Sequence, residues 1–266
     1  MEAWPVYLLT GSVVGFIAGL LGIGGGLLMV PILAATFISL DFPEDRIVHI
    51  ALGTTTAIIT LTAISSLRAH HARGAVNWPV VRYMTPGIIA GALIGSTLAG
   101  QLSNRVLGVI FVLFIYSAAT QMWLNLKPGA NYALPGKVGL FTAGGVIGVI
   151  SSLVAIGGGL LTVPFLTACQ VRMHHAIGTA AAVGFPVALA SAAGYAVNGL
   201  LQTQPLPDYS LGYIYLPALM MVAMTSTVTA PWGAKTAHIL PAAALRKIFA
   251  GLLYLLGTKL LLDFLG

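Results

Sequence analysis

A glycine-rich stretch decides the fold: Gly22-Ile23-Gly24-Gly25-Gly26-Leu27-Leu28-Met29-Val30-Pro31-Ile32-Leu33. It recurs 133 residues later as Ala155-Ile156-Gly157-Gly158-Gly159-Leu160-Leu161-Thr162-Val163-Pro164-Phe165-Leu166. A further match, between residues 49–54 and 174–179, is displaced by 125 residues, so one loop of the first unit is eight residues longer than its counterpart. A triple glycine followed by proline in the same context twice predicts two copies of one structural unit.

Composition places these units in a membrane. The 266 residues are 58% hydrophobic and 7% charged, with a mean hydropathy of +0.96, whereas soluble domains carry about 25% charged residues. Basic residues lie singly between apolar segments, so the net charge of +6 indicates orientation in a lipid bilayer rather than nucleic-acid binding. Residues 1–5 lack the basic region of a signal peptide, so we expect the N-terminal stretch to be the first membrane segment. Cys169 is the only cysteine, which excludes an intramolecular disulfide.

Each unit contains five apolar segments, which predicts an all-α integral membrane protein. We place the units at residues 1–130 and 131–266. The second segment of each unit, near 27–40 and 159–170, follows the glycines directly and is shorter than the roughly 20 residues that cross a bilayer. We therefore predict glycine-hinged half-helices at these two places. The other segments lie near residues 6–22, 47–69, 80–100, 104–124, 138–155, 175–197, 211–232 and 242–263.

Loop charges indicate how the chain crosses the membrane. If each hinged pair enters and returns to one side, nine basic residues collect on one face, and three on the other together with all six acids. If each pair is one broken span, the basic residues divide six against six. The uneven division agrees with the positive-inside rule, so we predict ten passes, an inverted second unit and both termini outside. The basic face would carry Arg68, Arg73, Arg82, Lys127, Lys137, Arg172, Lys235, Arg246 and Lys247.

Inverted repeats with interrupted helices are typical of secondary transporters, which bind their solute near the interruptions. Bare glycine backbone can adopt positive φ, and the unpaired N–H groups that begin a helix can bind an anion without a buried lysine or arginine. Two such sites, approaching from opposite faces, could meet around one solute. The alternative is that the glycines only allow close helix packing. The candidate residues are Gly24, Gly25, Gly26, Gly157, Gly158 and Gly159.

Hydroxyl groups and histidines supply the remaining candidates. Thr54 and Thr179 occupy the same place in both units and can donate to an anion or bond back to their own helix. Adjacent histidines, as in His70-His71 and His174-His175, point about 100° apart on a helix, so we expect no metal site. A role for His71 or His175 in proton coupling stays open. No acid lies in the middle of a segment, which argues against a carboxylate proton relay, a divalent-cation pathway or an enzyme, and we expect no cofactor. Glycines at every fourth position favour close helix packing instead of a site: Gly11, Gly15, Gly19, Gly87, Gly91 and Gly95.

The two hinges, together with the stretch from Gly53-Thr54 to His71-Ala72-Arg73-Gly74-Ala75-Val76-Asn77-Trp78, resemble the TauE/SafE family of sulfite and organosulfur anion exporters. The resemblance covers essentially the whole chain. It implies export of sulfite, sulfoacetate or a related sulfonate across the bacterial inner membrane. The second unit has Ala155 where the first has Gly22 and lacks the His-Ala-Arg sequence, which allows the two halves of the site to be unequal.

The sequence and the resemblance together predict a transporter that exports a small sulfur-containing anion by alternating access. The two glycine triplets, helped by Thr54 and Thr179, would hold the anionic head. Arg68 and Arg73 would attract the anion at the inner mouth, because a cluster of one charge raises the local concentration of its counter-ion. An anion channel, or a membrane-embedded accessory or sensor protein without flux, remains the alternative.

Overall fold

The computed structural model describes residues 4–21, 25–124, 132–203, 205–237 and 242–265. In these ranges the chain forms ten α-helices and one β-hairpin, which confirms the predicted all-α membrane fold. The helices of the first unit are α1 (Trp4–Leu21), α2 (Gly26–Ser39), α3 (Ile47–Ala72), α4 (Trp78–Gln101) and α5 (Asn104–Trp123). Those of the second are α6 (Lys137–Leu153), α7 (Gly159–Ala168), α8 (Met173–Leu200), α9 (Leu216–Ala237) and α10 (Ala242–Leu265).

The helix bounds lie within a few residues of the predicted segments, with one exception. The segment predicted near 211–232 becomes helical only at Leu216, because the residues before it form an antiparallel pair of strands, β1 (Ser210–Leu211) and β2 (Ile214–Tyr215). Gly212, with a φ of 55°, lies in the turn between them. A left-handed residue interrupts a right-handed helix, so the prediction of helix from residue 211 is wrong.

Four helices are long and apolar enough to cross a membrane within the described ranges: α3, α4, α5 and α8. The spans of α3 and α8 are 83% and 61% buried, against 44% for α4 and α5, so α3 and α8 form the centre of the bundle. The helices after the glycine triplets have 14 residues in α2 and 10 in α7. At 1.5 Å per residue they extend about 21 and 15 Å, less than the roughly 30 Å of a hydrocarbon core.

The first helix pair is a hairpin that returns to the end from which it started. Tyr7, near the beginning of α1, and Phe37, near the end of α2, both pack on Tyr215, with ring centroids 6.1 and 5.7 Å away. At the opposite end of the hairpin, a Cβ on Gly25 would lie 2.6 Å from Cγ1 of Val14, so the chain folds back onto α1. This course agrees with the prediction that the hinged pair enters and leaves on one side.

Glycine stripes join the two units along parallel helices. A Cβ on Gly91 of α4 would meet the carbonyl oxygen of Gly145 in α6. One turn further along both helices, a Cβ on Gly95 would lie 2.6 Å from the carbonyl oxygen of Val149. The α1–α9 pair is built in the same way. These contacts confirm the packing interpretation of the stripes at Gly11, Gly15, Gly87, Gly91 and Gly95.

Equivalent helices of the two units cross the centre in opposite directions. Gly53, near the beginning of α3, faces Tyr195, near the end of α8, with 3.2 Å between the two Cβ positions. Beyond the other end of α3, the Ala75 carbonyl packs against Gly178 in the second turn of α8. Residue numbers therefore rise along α3 as they fall along α8, so the two helices are antiparallel.

Helices α5 and α10 are another equivalent pair, and they too run in opposite directions. Tyr116 in α5 shares a hydrogen bond of 2.8 Å with Thr258 in α10. One turn later, Thr120 shares a bond of 2.5 Å with Tyr254. These two bonds also require antiparallel helices.

One end of the bundle, hereafter the acidic end, lies where α3 and α5 begin and α8 ends. Arg46 donates to the Gln202 side chain at 3.3 Å, and Asn104 donates to the Glu44 carbonyl at 2.6 Å. The contacts and helix directions also bring the other described acids to this end. The described acids here are Asp41, Glu44, Asp45, Asp208 and Asp263.

The opposite end, hereafter the basic end, lies where α4, α6 and α8 begin. Nδ1 of His175 lies 3.2 Å from the Ala75 carbonyl oxygen, and Nζ of Lys137 lies 5.4 Å from the ring centroid of Tyr83. Helix directions place no described acid here. The described basic residues of this end are Arg68, Arg73, Arg82, Lys137, Arg172 and Lys247.

Candidate functional site

A tight turn over residues 154–158 links α6 to α7. Ala155 and Gly158 both adopt the left-handed conformation, with φ of 47° and 75°. This conformation costs a residue with a Cβ roughly 1–2 kcal/mol but costs glycine little. The amide of Ile156 donates to the Ser151 carbonyl at 3.0 Å, and the Gly158 amide donates to the Ile156 carbonyl at 2.7 Å. The predicted use of glycine for a positive φ is confirmed at Gly158.

The start of α7, residues 157–162, is partly exposed and carries one hydroxyl side chain. A Cβ on Gly159 would meet no described atom within 4 Å, and Gly159 to Leu161 are partly exposed. The amides of Leu161 and Thr162 donate to the Gly158 carbonyl, at 3.3 and 2.8 Å. The N–H groups that begin a helix have no partner within it, so those of Gly159 and Leu160 remain available to a ligand. The side chain of Thr162 is fully buried, and its hydroxyl has no hydrogen-bond partner among the described residues.

The start of α2, residues 25–29, is closed. Gly24 lies outside the described residues. Gly25 has a right-handed backbone, with a φ of −73°, so the positive φ found in the second unit is not repeated there. The first turn of α2, from Gly26 onward, is buried, and a Cβ on Gly26 would meet the Ala155 carbonyl oxygen of the opposite hinge.

The two helix starts meet at the middle of α3. Ile59 is the central residue of this 26-residue helix. Its Cδ1 would lie 3.0 Å from a Cβ on Gly26, and its Cγ2 would lie 3.0 Å from a Cβ on Gly157. The structure therefore brings the predicted glycine sites together at mid-helix, with an isoleucine side chain between them. Sequence reasoning missed Ile59, because a lone isoleucine in an apolar helix carries no signal.

The predicted threonines form a symmetric pair of contacts between the units. The Thr54 hydroxyl oxygen accepts from the Tyr215 amide at 2.9 Å, and that of Thr179 accepts from the Asn77 amide at 3.0 Å. Both side chains are fully buried. Each threonine thus attaches a central helix to the segment that begins α9 or α4 of the other unit. Neither of the two predicted uses, donation to an anion or bonding within the helix, is the contact observed.

Arg68 and Arg73 lie near the end of α3, at the basic end, and both are exposed. Nine residues separate Ile59 from Arg68, which is about 14 Å along a helix. The arginines are therefore far from the helix starts, at the basic end of the bundle. Within the described ranges, no group of three or more His, Cys, Asp or Glu side chains is arranged to hold a metal ion.

Sequence comparisons agree with this architecture. Residues 7–260 match the family described as Sulfite exporter TauE/SafE. A Haemophilus influenzae protein described as "Probable membrane transporter protein" is 37% identical over 257 residues, covering 96% of this chain and 97% of the relative. A Methanocaldococcus jannaschii protein of the same description is 27% identical over 264 residues, covering 97% and 95%. No solved structure gives a significant match.

The match spans both hinges, both threonines and the arginine-bearing end of α3. The chain has apolar helices that could cross a membrane, and its relatives are described as membrane transporters. Both observations indicate an integral membrane protein. This chain is a multi-pass membrane protein and belongs to the sulfite exporter TauE/SafE family.

Proposed function

We propose that this membrane transporter exports a small sulfur-containing anion, such as sulfoacetate, sulfite or a related sulfonate, by alternating access across the bacterial inner membrane. The observation that carries the proposal is the meeting of two short helices at the middle of α3, where Gly26 and Gly157 both approach Ile59. Helix starts at mid-membrane offer N–H donors and positive dipole ends to an anionic solute. The sulfur chemistry comes from the family.

Inverted repeats, at residues 1–130 and 131–266, are part of this proposal. A twofold axis that runs along the helices relates equivalent helices as parallel. A twofold axis perpendicular to the helices relates them as antiparallel. The antiparallel courses of α3 and α8, and of α5 and α10, support such an axis in the membrane plane. This arrangement is the one expected of a carrier that opens alternately to two sides.

The charge difference between the ends supports an orientation. The basic end would face the cytoplasm under the positive-inside rule, with Arg68 and Arg73 at the mouth. The aromatic contact of Tyr7 places the beginning of α1 at the acidic end, and Asp263 places the end of α10 there. Both described termini of the chain would then face outside.

We propose the glycine triplets, 24–26 and 157–159, as the region that contacts the solute. Thr54 and Thr179 support this region, because their oxygens hold the beginnings of α9 and α4 against the central helices. A hydroxyl that accepts one bond can still donate its own hydrogen, so their predicted contact with the anion stays a prediction.

The test is flux of radiolabelled sulfite and sulfoacetate in proteoliposomes. A carrier gives saturable flux and faster exchange when unlabelled anion is present on the opposite side. Gly158→Ala is the informative variant, and Gly74→Ala is its matched control, because both glycines have left-handed backbones, with φ of 75° and 66°, but Gly74 lies outside the hinges. We expect Gly158→Ala to lose most of the flux and Gly74→Ala to keep it.

Three results would contradict the proposal. Discrete single-channel currents in planar bilayers would favour an anion channel. Binding of sulfur anions without any flux would favour an accessory or sensor protein. Equal flux in Gly158→Ala and Gly74→Ala, at equal folded yield, would remove the hinge from the transport mechanism.

A further inference from the structure

The two helix starts carry different chemistry at equivalent places. Thr162 and Met29 correspond in the sequence repeat. Oγ1 of Thr162 lies 3.8 Å from a Cβ placed on Gly158, and Cε of Met29 lies 3.6 Å from a Cβ placed on Gly25. A hydroxyl in the second unit therefore occupies the place that a methyl group occupies in the first.

Burial of the Thr162 hydroxyl costs free energy that no hydrogen bond within the described part of the chain offsets. Its side chain is 0% exposed and the hydroxyl has no partner in the described part of the chain. By contrast, Thr167 of the same helix donates to the carbonyls of Val163 and Pro164, at 2.9 and 3.0 Å. A buried polar group without a partner destabilises the folded state, and a bound ligand is one way in which such a group is satisfied.

Access also differs between the two starts. The first turn of α7 is partly exposed, with open space around Gly159 among the described atoms. The first turn of α2 is buried, with Val14 against Gly25 and the Ala155 carbonyl against Gly26. The carbonyl oxygen that faces the α2 start carries a partial negative charge, which disfavours an anion at that place.

We propose that the start of α7 alone binds the anion and that Thr162 donates its hydroxyl to one of the anion's oxygens. The α2 start packs the hinge of the second unit and does not contact the solute. The donors at the α7 start are backbone N–H groups and one hydroxyl, which suits the several oxygens of a sulfonate or sulfite group. This inference rests on the proposed transport of a sulfur anion and narrows the site to one of its two halves.

The first test is binding of sulfite and of sulfoacetate, each as a separate probe, to the purified full-length protein. Thr162→Val keeps the shape of the side chain and removes the donor, so we expect affinity to fall roughly 10- to 100-fold, the effect of one hydrogen bond to a charged group. Thr162→Ser keeps the donor and should remain within about threefold of the parent. Gly159→Ala adds a methyl group that no described atom would contact but that competes with the ligand, so this variant should also bind more weakly.

The second test separates a ligand contact from a structural role through the sign of the stability change. Removing an unpaired buried hydroxyl relieves a cost, so Thr162→Val without ligand should melt at the same temperature as the parent or up to about 4 °C higher. A structural hydroxyl would give the opposite sign. Thr167→Val serves as the control within α7, and Met29→Leu as the control in the α2 start. Neither control should change affinity by more than about twofold.

The outcomes distinguish this inference from the proposed function. If the parent transports a sulfur anion and Thr162→Val and Gly159→Ala bind it like the parent, the assignment to α7 is wrong and the transport function stands. Loss of binding in Met29→Leu at unchanged melting temperature would also overturn the one-sided site. If the parent neither binds nor transports sulfite or sulfoacetate, the proposed function fails and this inference fails with it.

Discussion

Replacing Thr179 with valine should loosen the attachment of α8 to the beginning of α4. The hydroxyl oxygen of Thr179 accepts from the Asn77 amide at 3.0 Å, and Asn77 also caps α4 through its side chain. Valine has nearly the same shape, so the substitution creates no cavity and isolates the lost hydrogen bond. The Asn77 amide then has no acceptor in a half-buried position.

The magnitude follows from that one bond. An unsatisfied buried donor costs about 1–3 kcal/mol, and hydrogen bonds between membrane helices average about 0.6 kcal/mol, with a maximum near 1.7. We therefore expect the free energy of unfolding to fall by about 1 kcal/mol in Thr179→Val. The equivalent Thr54→Val removes the acceptor of the Tyr215 amide and should lose a similar amount. The two bonds lie toward opposite ends of the bundle, so the double variant should lose about 2 kcal/mol.

Equilibrium unfolding in mixed micelles, followed by circular dichroism, measures these differences. Thr179→Ser keeps the acceptor and should restore stability. Thr97→Val is the control, since the exposed Thr97 hydroxyl donates to the Leu93 carbonyl of its own helix, α4, and its loss should change stability by no more than about 0.5 kcal/mol. Unchanged stability in both Thr54→Val and Thr179→Val would refute the structural role. Lost anion affinity at unchanged stability would instead make these threonines ligands.

Three further predictions concern packing, orientation and the centre of the bundle. Gly91→Ala places a Cβ against the Gly145 carbonyl and should destabilise the protein by about 1–3 kcal/mol, whereas Gly145→Ala, with its nearest contact at 3.7 Å, should be tolerated in the same unfolding assay. In a cysteine-free background, Arg73→Cys should react with an impermeant thiol reagent only from the cytoplasmic side, and Glu44→Cys only from outside. If both variants react from the same side, the proposed orientation is wrong. Ile59→Ala removes the side chain between the two helix starts and should change the maximum flux while the melting temperature falls, and unchanged flux would place Ile59 outside the transport path.

The sequence predicts those parts of the fold that depend on local pattern. Apolar segments of known length locate the helices, and the repeated glycines locate the two short ones, because both signals lie within a dozen consecutive residues. The β-hairpin before α9 escapes this approach because its strands have two residues each. Its only local sign is Gly212, one of 32 glycines in the chain.

Contacts between distant residues are harder to predict. Thr54 and Thr179 are recognisable as equivalent positions, but their amide partners lie 161 and 102 residues away. The packing that decides their role is set by how the two units dock. The same holds for Ile59, whose place between the helix starts depends on the position of α3 relative to two hinges at once.

Differences between the repeats carry information that their similarities do not. Ile59 corresponds to Gly184 at the displacement of this region, and a Cβ on Gly184 would meet the Gly157 carbonyl oxygen. On one side of the centre, the Ile59 side chain therefore lies between the two hinges. On the other side, the backbone of Gly184 packs directly against the Gly157 carbonyl. Units with unequal side chains at this point cannot pack against their hinges in the same way. Two units with the same repeated motif thus acquire one open and one closed helix start, and the open one carries Thr162 where the other carries a methionine.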